Sequence, residues 1–166
     1  MCCWRSASRS SSTVAASTTR PSVRFRPGLA TIVTISPAAA ARPIVYAGGG
    51  VLHADACAEL RELVDAGRLP AVVTLMGKGC LPDSHALNYG APGMHGSKYA
   101  NWALNKADLV IAVGSRFDDR VTGKVSAFAP GATVIHFDID AAEVGKIRHA
   151  EIPVVGPWKF VLAQLS

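Results

Sequence analysis

The stretch DLVIAVGSRFDDRVTGK, Asp108 to Lys124, joins an unbroken apolar run to a loop of alternating charge. Apolar, β-branched runs of five or six residues read as strands buried on both faces, the kind found in parallel sheets. The loop that follows holds Asp118 and Asp119 between Arg116 and Arg120. In open α/β sheets the ends of such strands are where ligands sit.

Outward from this stretch the same grammar repeats. RPIVYAGGG is a strand running into glycines, AVVTL a second strand, GATVIHFDID a fourth and IPVV a fifth, with DLVIAVG the third. Between them, ADACAELRELVDAGRLP puts Cys57, Leu60, Leu63 and Val64 on one helical stripe, with Gly67 and Pro70 as stop signals. KYANWALNKA has helical spacing at Tyr99, Trp102 and Leu104, AAEVGKI reads as a short helix and PWKFVLAQLS as a C-terminal one. Strands alternating with helices predict an α/β fold, a parallel sheet with helices on both faces, over residues 42–166.

Residues 1–41 follow another regime, rich in Ser, Arg, Ala and Pro, with no periodicity, and are expected to be an unstructured leader. Six of the chain's 17 basic residues lie within residues 1–42, which hold no acid; the rest carries 11 basic against 12 acidic side chains. The basic balance therefore belongs to the leader, and no nucleic-acid footprint is expected on the fold. Three readings of the leader stay open: an organellar transit peptide, a secretory signal, which fits less well, and sequence read from a wrong start or frame. No run approaches the roughly 18 apolar residues of a membrane span. A cytoplasmic protein is expected, or an organellar one if the leader is a transit peptide. Cys80, His85 and His95 could converge on a metal, but without a CxxC pair reduced thiols are the expectation.

The loops after the strands, AGGG, TLMGKG, GSRFDDR and FDID, suit a nucleotide. The nicotinamide fingerprint fails, since Gly48-x-Gly50-x-x-His53 lacks its third glycine and the strand ending in Thr74 and Leu75 carries no acid for a ribose. Arg116 and Arg120 suit a phosphate or a flavin carbonyl; equally, they could form an Arg–Asp lattice that only holds the loop. Adjacent Asp118 and Asp119 cannot flank a bond from opposite sides, so neither is expected to be catalytic. His95, between glycines, is placed to project into a cleft or to be satisfied by backbone, while His53, His136 and His149 read as surface or strand-end residues.

RPIVYAGGGV, VVTLMGKGCLPDSH, GAPGMHGSKYANWALNKADLVIAVGSRFDDRVTGK and VIHFDIDAAEVGK, in this order, closely resemble the central domain of the acetolactate synthases, thiamine-diphosphate-dependent enzymes. The resemblance covers residues 42–156. It implies a six-stranded, Rossmann-like middle domain that binds FAD, in a large catalytic subunit that condenses 2-oxo acids with decarboxylation at the start of branched-chain amino-acid biosynthesis. It places the flavin nucleotide against Gly48, Gly49, Gly50, Thr74, Leu75 and Met76, and Met94 and His95 near the isoalloxazine. Gly114, Ser115, Arg116, Asp118, Arg120 and Val121 would line the middle of FAD, and Asp138, Ile139 and Glu143 its adenosine end. Met94, Asp119 and Arg120 would border a substrate channel.

Thiamine diphosphate and Mg2+ are implied only for a full-length enzyme, because the activating glutamate's domain and a GDG motif do not occur in these 166 residues. Where relatives read VGD, this chain reads Val155-Gly156-Pro157. The expectation is a fragment, catalytically silent alone, whose partners are the enzyme's other domains, a second copy or a regulatory small subunit. The alternative is a non-catalytic nucleotide-binding or assembly module.

Overall fold

The computed structural model describes residues 40–157 and 159, together with the two-residue strands β1 (Val23–Arg24) and β2 (Thr34–Ile35). Although the sequence shows no strand pattern before Arg42, β1 and β2 pair antiparallel, Val23 opposite Ile35. The rest of the expected leader, and the expected C-terminal helix beyond Pro157 save Lys159, lie outside the described residues.

The expected strands form one parallel sheet, β3 (Pro43–Ala47), β4 (Ala71–Val73), β5 (Leu109–Val113), β6 (Thr133–Asp138) and β7 (Ile152–Val155), in the order β4-β3-β5-β6-β7. All five residues of β3 and of β5 are buried. Side chains alternate between two cores, as period-2 geometry demands. Val45, Ala47, Ile111 and Val113 enter one core with Leu60, Leu63 and Val64 of helix α2 (Cys57–Gly67). Ile44, Tyr46, Val110 and Ala112 enter the other with Ala100 and Leu104 of α3 (Lys98–Lys106). Helices thus cover both faces, as the unbroken apolar runs require.

Among the described residues the parallel sheet has five strands, rather than the implied six. The place beyond β4 is taken by residues 87–90, which meet it through a single parallel bridge, Ala71 to Asn88. Ala71 N–H donates to Leu87 O at 2.8 Å and Tyr89 N–H to Ala71 O at 2.8 Å. Asn88 Oδ1 then takes the Gly90 N–H at 2.9 Å in an Asx-type turn, and Val73 N–H reaches Gly90 O at 3.1 Å, one residue out of register.

Two helical expectations need correction. On α3 the core stripe is Ala100 and Leu104, with Ala103 beside it, whereas Tyr99 and Trp102 are 76% and 65% exposed. Residues 141–147 form turns, not a helix, with Gly145 at φ +74° interrupting the spiral.

Candidate functional site: a cleft over four strand ends

The strands β4, β3, β5 and β6 each end in a turn on the same side of the sheet, and the turns interlock. Thr74 N–H donates to Ala47 O, Gly48 N–H to Val113 O, Gly50 N–H to Gly114 O and Gly114 N–H to Phe137 O, each at 2.9 Å. A Cβ on Gly48 would overlap Gly114 O and the Ser115 side chain; one on Gly50 would lie 2.7 Å from Gly114 Cα. These glycines are therefore needed for the approach of one turn to another, which builds the floor of the cleft. Helix α1 (Gly50–His53) starts from the first turn, and Thr74 Oγ1 caps the 3-10 turn Leu75–Gly77 by accepting Gly77 N–H at 3.1 Å.

The third turn is held from beneath. Ser115, 4% exposed, donates its hydroxyl to Tyr46 O at 3.1 Å, and Tyr46 OH donates to Arg116 O at 3.1 Å. Burial, with Asp118 nearby, pushes the Tyr46 phenol well above its ordinary value, so it serves as a neutral donor. His136 Nε2 lies 3.0 Å from Ser115 O and so carries the ring proton toward it. This corrects the strand-end reading of His136, which is fully buried in β6 on the face it shares with Val134. Its Nδ1 is buried without a hydrogen-bond partner among the described residues. Burial lowers the His136 pKa, opposed by the Ser115 carbonyl and by the charges of Asp138 and Glu143. Phe117 packs edge-on to His136, ring centroids 5.1 Å apart.

Beyond the turn, Asp118 caps helix α4 (Asp119–Thr122), its Oδ1 accepting Arg120 N–H at 2.9 Å. That amide, then Asp119 and the charges of Arg116 and Arg120, hold the Asp118 carboxyl below its ordinary range. Of the alternative Arg–Asp lattice, one exposed ion pair stands among the described residues, Asp119 to Arg120 at 3.6 Å. Arg116 makes no ion pair among the described residues and faces the cleft.

The cleft, about 500 Å³, gathers Gly48, Gly49, Gly50, Thr74, Leu75 and Met76 on one side. Gly114, Ser115, Arg116, Asp118, Arg120 and Val121 meet them from the other, and Asp138 and Glu143 close one end. Ile139 lines an adjoining cavity, also of about 500 Å³, with Asp138, Pro157 and Lys159. Met94 and Asp119 lie in a third, about 520 Å³, which shares Arg120 and Val121 with the main cleft. His95 is exposed and lines none of the three.

Sequence reasoning missed Tyr46 and His53, which line the main cleft. His53 also borders the adjoining cavity, and its place in the failed fingerprint, where a third glycine would stand, was the available signal. Cys80, His85 and His95 do not gather as metal donors among the described residues. His85 instead bonds Asp65 at 2.9 Å, and burial, with Cys57 nearby, pushes the Cys80 thiol up to about 11. No helix among the described residues is long and apolar enough to cross a membrane.

The family model described as thiamine pyrophosphate enzyme, central domain, matches residues 38–165. The chain is 56% identical over 128 residues to acetolactate synthase of Mycobacterium bovis, covering 77% of this chain and 21% of that protein. It is 55% identical over 126 residues to the acetolactate synthase large subunit of Corynebacterium glutamicum, 76% of this chain and 20% of that one. With the probable acetolactate synthase large subunit of Methanocaldococcus jannaschii the identity is 52% over 124 residues, 75% of this chain and 21% of the relative. The chain thus spans about a fifth of the length of the curated relatives it matches. A parallel sheet with the turns of four adjacent strands framing one cleft, and a match across residues 38–165, make this chain a member of the thiamine pyrophosphate enzyme family, by its central domain.

Proposed function

We propose that the chain is the FAD-holding central unit of an acetolactate synthase, an enzyme that joins two 2-oxo acids with loss of carbon dioxide. The observation that carries the reading is the single cleft running over the ends of β4, β3, β5 and β6, with a second cavity adjoining it. Volumes of about 500 Å³ each lie within the ~300–1,000 Å³ usual for ligand sites. The lining suits a dinucleotide. Close-packed glycine turns leave the backbone accessible, Arg116 offers an unpaired fork of donors to a diphosphate or flavin carbonyl, and Asp138 and Glu143 offer acceptors to hydroxyls.

Bound there, FAD would supply a rigid partner that fixes the four turns, a structural contribution. This chain's residues would bind and orient it. Thiamine diphosphate and magnesium would be held by other segments, since the 166 residues contain no GDG motif. Leu75, Met76, Met94 and Ile139, 66–80% exposed around the cavities, are surfaces for the flavin and for neighbouring domains, a second copy or a regulatory subunit to cover.

The test is flavin content. The full 166-residue chain, purified and mixed with FAD, should retain flavin absorbance at a saturating one-to-one ratio, and NAD should not displace it. A folded chain that ignores FAD would sink the reading. Retention of FAD without any association with a thiamine enzyme's other segments would favour the non-catalytic module instead.

A further inference from the structure

Helix α3 presents to its neighbouring loops a face that carries neither its core residues nor its exposed aromatics. The half-buried Asn101 makes two bonds to one residue on that face. Its Oδ1 accepts Gly93 N–H at 2.7 Å and its Nδ2 donates to Gly93 O at 2.9 Å. Gly93 stands at φ +103°, and a Cβ there would come within 2.7 Å of Arg120 O. The next amide, Met94 N–H, donates to that same Arg120 carbonyl at 2.9 Å. One turn along α3, Asn105 Oδ1 accepts Ala129 N–H at 3.2 Å, and its Nδ2 donates to Asn101 O at 3.1 Å. Arg120 and Val121 line both the main cleft and the cavity of Met94 and Asp119. These two residues stand where the cleft and the cavity meet.

We propose that Asn101 is a positioning residue: by clamping Gly93 it fixes the Met94–Arg120 junction between the cleft and the neighbouring cavity. The clamp stands on its own geometry; its effect on FAD rests on the flavin reading above. A primary amide is the side chain that donates and accepts side by side, as the two Gly93 bonds require. An ionised aspartate in its place would fail, because a carboxylate only accepts and would set a second acceptor against Gly93 O. Within its own turn the rim is held by Asp118, whose Oδ1 accepts Arg120 N–H at 2.9 Å and whose carbonyl accepts Val121 N–H at 3.0 Å; the clamp is what ties that turn to α3. The Arg120 side chain is 75% exposed and its one ion pair among the described residues, to Asp119 at 3.6 Å, is a surface contact of small effect. Where the guanidinium starts is therefore set by its backbone, and the clamp holds that backbone.

Hydrogen exchange and FAD titration of the full chain test this, with Asn101→Asp and Asn101→Ala against wild type. At neutral pH both variants should speed exchange at Gly93 and Met94 by about tenfold, the loss of one ordinary hydrogen bond. Amides of β5 should keep their protection, and FAD should bind more weakly. Lowering the pH should restore protection in Asn101→Asp alone, since a protonated carboxyl donates to Gly93 O while accepting Gly93 N–H. Should the carboxylate prevent folding, Asn101→Ala removes both bonds without adding charge. Wild-type protection at Gly93 and Met94 in the variants overturns the clamp, and so does an equal loss across the whole sheet. Faster exchange with undiminished FAD affinity overturns its role at the cleft. If the wild-type chain binds no FAD, the flavin reading falls and the exchange data alone decide the clamp.

Discussion

Single atoms decide whether the cleft exists. Gly50 opens α1, where alanine is by propensity the better residue by roughly 1 kcal/mol. A Cβ there, however, would lie 2.7 Å from Gly114 Cα and 2.9 Å from its carbonyl oxygen, both backbone. Gly50→Ala should therefore destabilise by about 1–3 kcal/mol, the usual penalty of forced overpacking. Gly131 is the contrast: an added Cβ would meet nothing within 4 Å, and its φ is not positive. Gly131→Ala should stabilise by about 0.4–1 kcal/mol through the unfolded chain's lost freedom. Urea unfolding gives both, and two changes of the same sign would refute the turn-packing account. His136 offers a pH test. Its folded pKa is lowered by burial, so the unfolded chain takes up the proton first as pH falls. Stability from this residue is complete above the ordinary histidine value of about 6.5 and declines as pH drops from there toward the lowered value. His136→Gln, which can still donate to Ser115 O, should flatten that decline in melts between about pH 7.5 and 5.5. Parallel slopes would show that His136 takes up its proton equally in the folded and unfolded states, so that burial does not lower its pKa.

At the scale of elements, the strands were legible and one helix face was not. β3, β5 and β6 announce themselves because a sheet covered on both sides needs apolar residues at every position, a pattern no surface helix shows. The residues 87–90 beside β4 carry no such run and could not be read. On α3 the largest apolar side chains, Tyr99 and Trp102, drew the stripe to the wrong side. The helix instead packs its alanines, Ala100 and Ala103, with Leu104, and alanine carries too little hydrophobic signal to outweigh a tryptophan. The cleft residues were legible as turn residues at strand ends, whereas Tyr46 and His136, which support or line it from within strands, were hidden in otherwise apolar runs. The corrected face has a measurable consequence. Leu104→Ala, at a position 1% exposed, should cost about 2–5 kcal/mol. Trp102→Ser, 65% exposed, should stay within about 0.5 kcal/mol. A loss at Trp102 as large as at Leu104 would restore the original stripe.

At the scale of the whole molecule, the sheet is well filled at its centre and open along one edge. The four turns that frame the cleft belong to strands far apart in sequence, and hydrogen bonds of ordinary length and glycine contacts join them at that edge. A ligand laid across all four would tie them together, and its binding energy would appear as folding stability because the unfolded chain has no such cleft. Linkage gives the size: about 2.7 kcal/mol at a free FAD concentration one hundred times its dissociation constant. Thermal melts of the full chain should therefore rise with FAD along a saturable logarithmic curve. ADP, which lacks the flavin half, should need a higher concentration than FAD for the same rise, because linkage makes the stabilisation depend only on free ligand relative to its dissociation constant. At the Asp138 end Pro157, where the resemblance leads one to expect an aspartate, lines the adjoining cavity with Ile139. Proline offers neither an N–H nor a side-chain acceptor to a ribose. Pro157→Asp should accordingly shift the FAD curve to lower concentration by about tenfold, the worth of one added hydrogen bond to a charged acceptor, and leave the ligand-free melt nearly unchanged. A curve that does not move would mean that the nucleotide's far end lies elsewhere. Melts indifferent to FAD at any concentration would mean that the edge is not a flavin site.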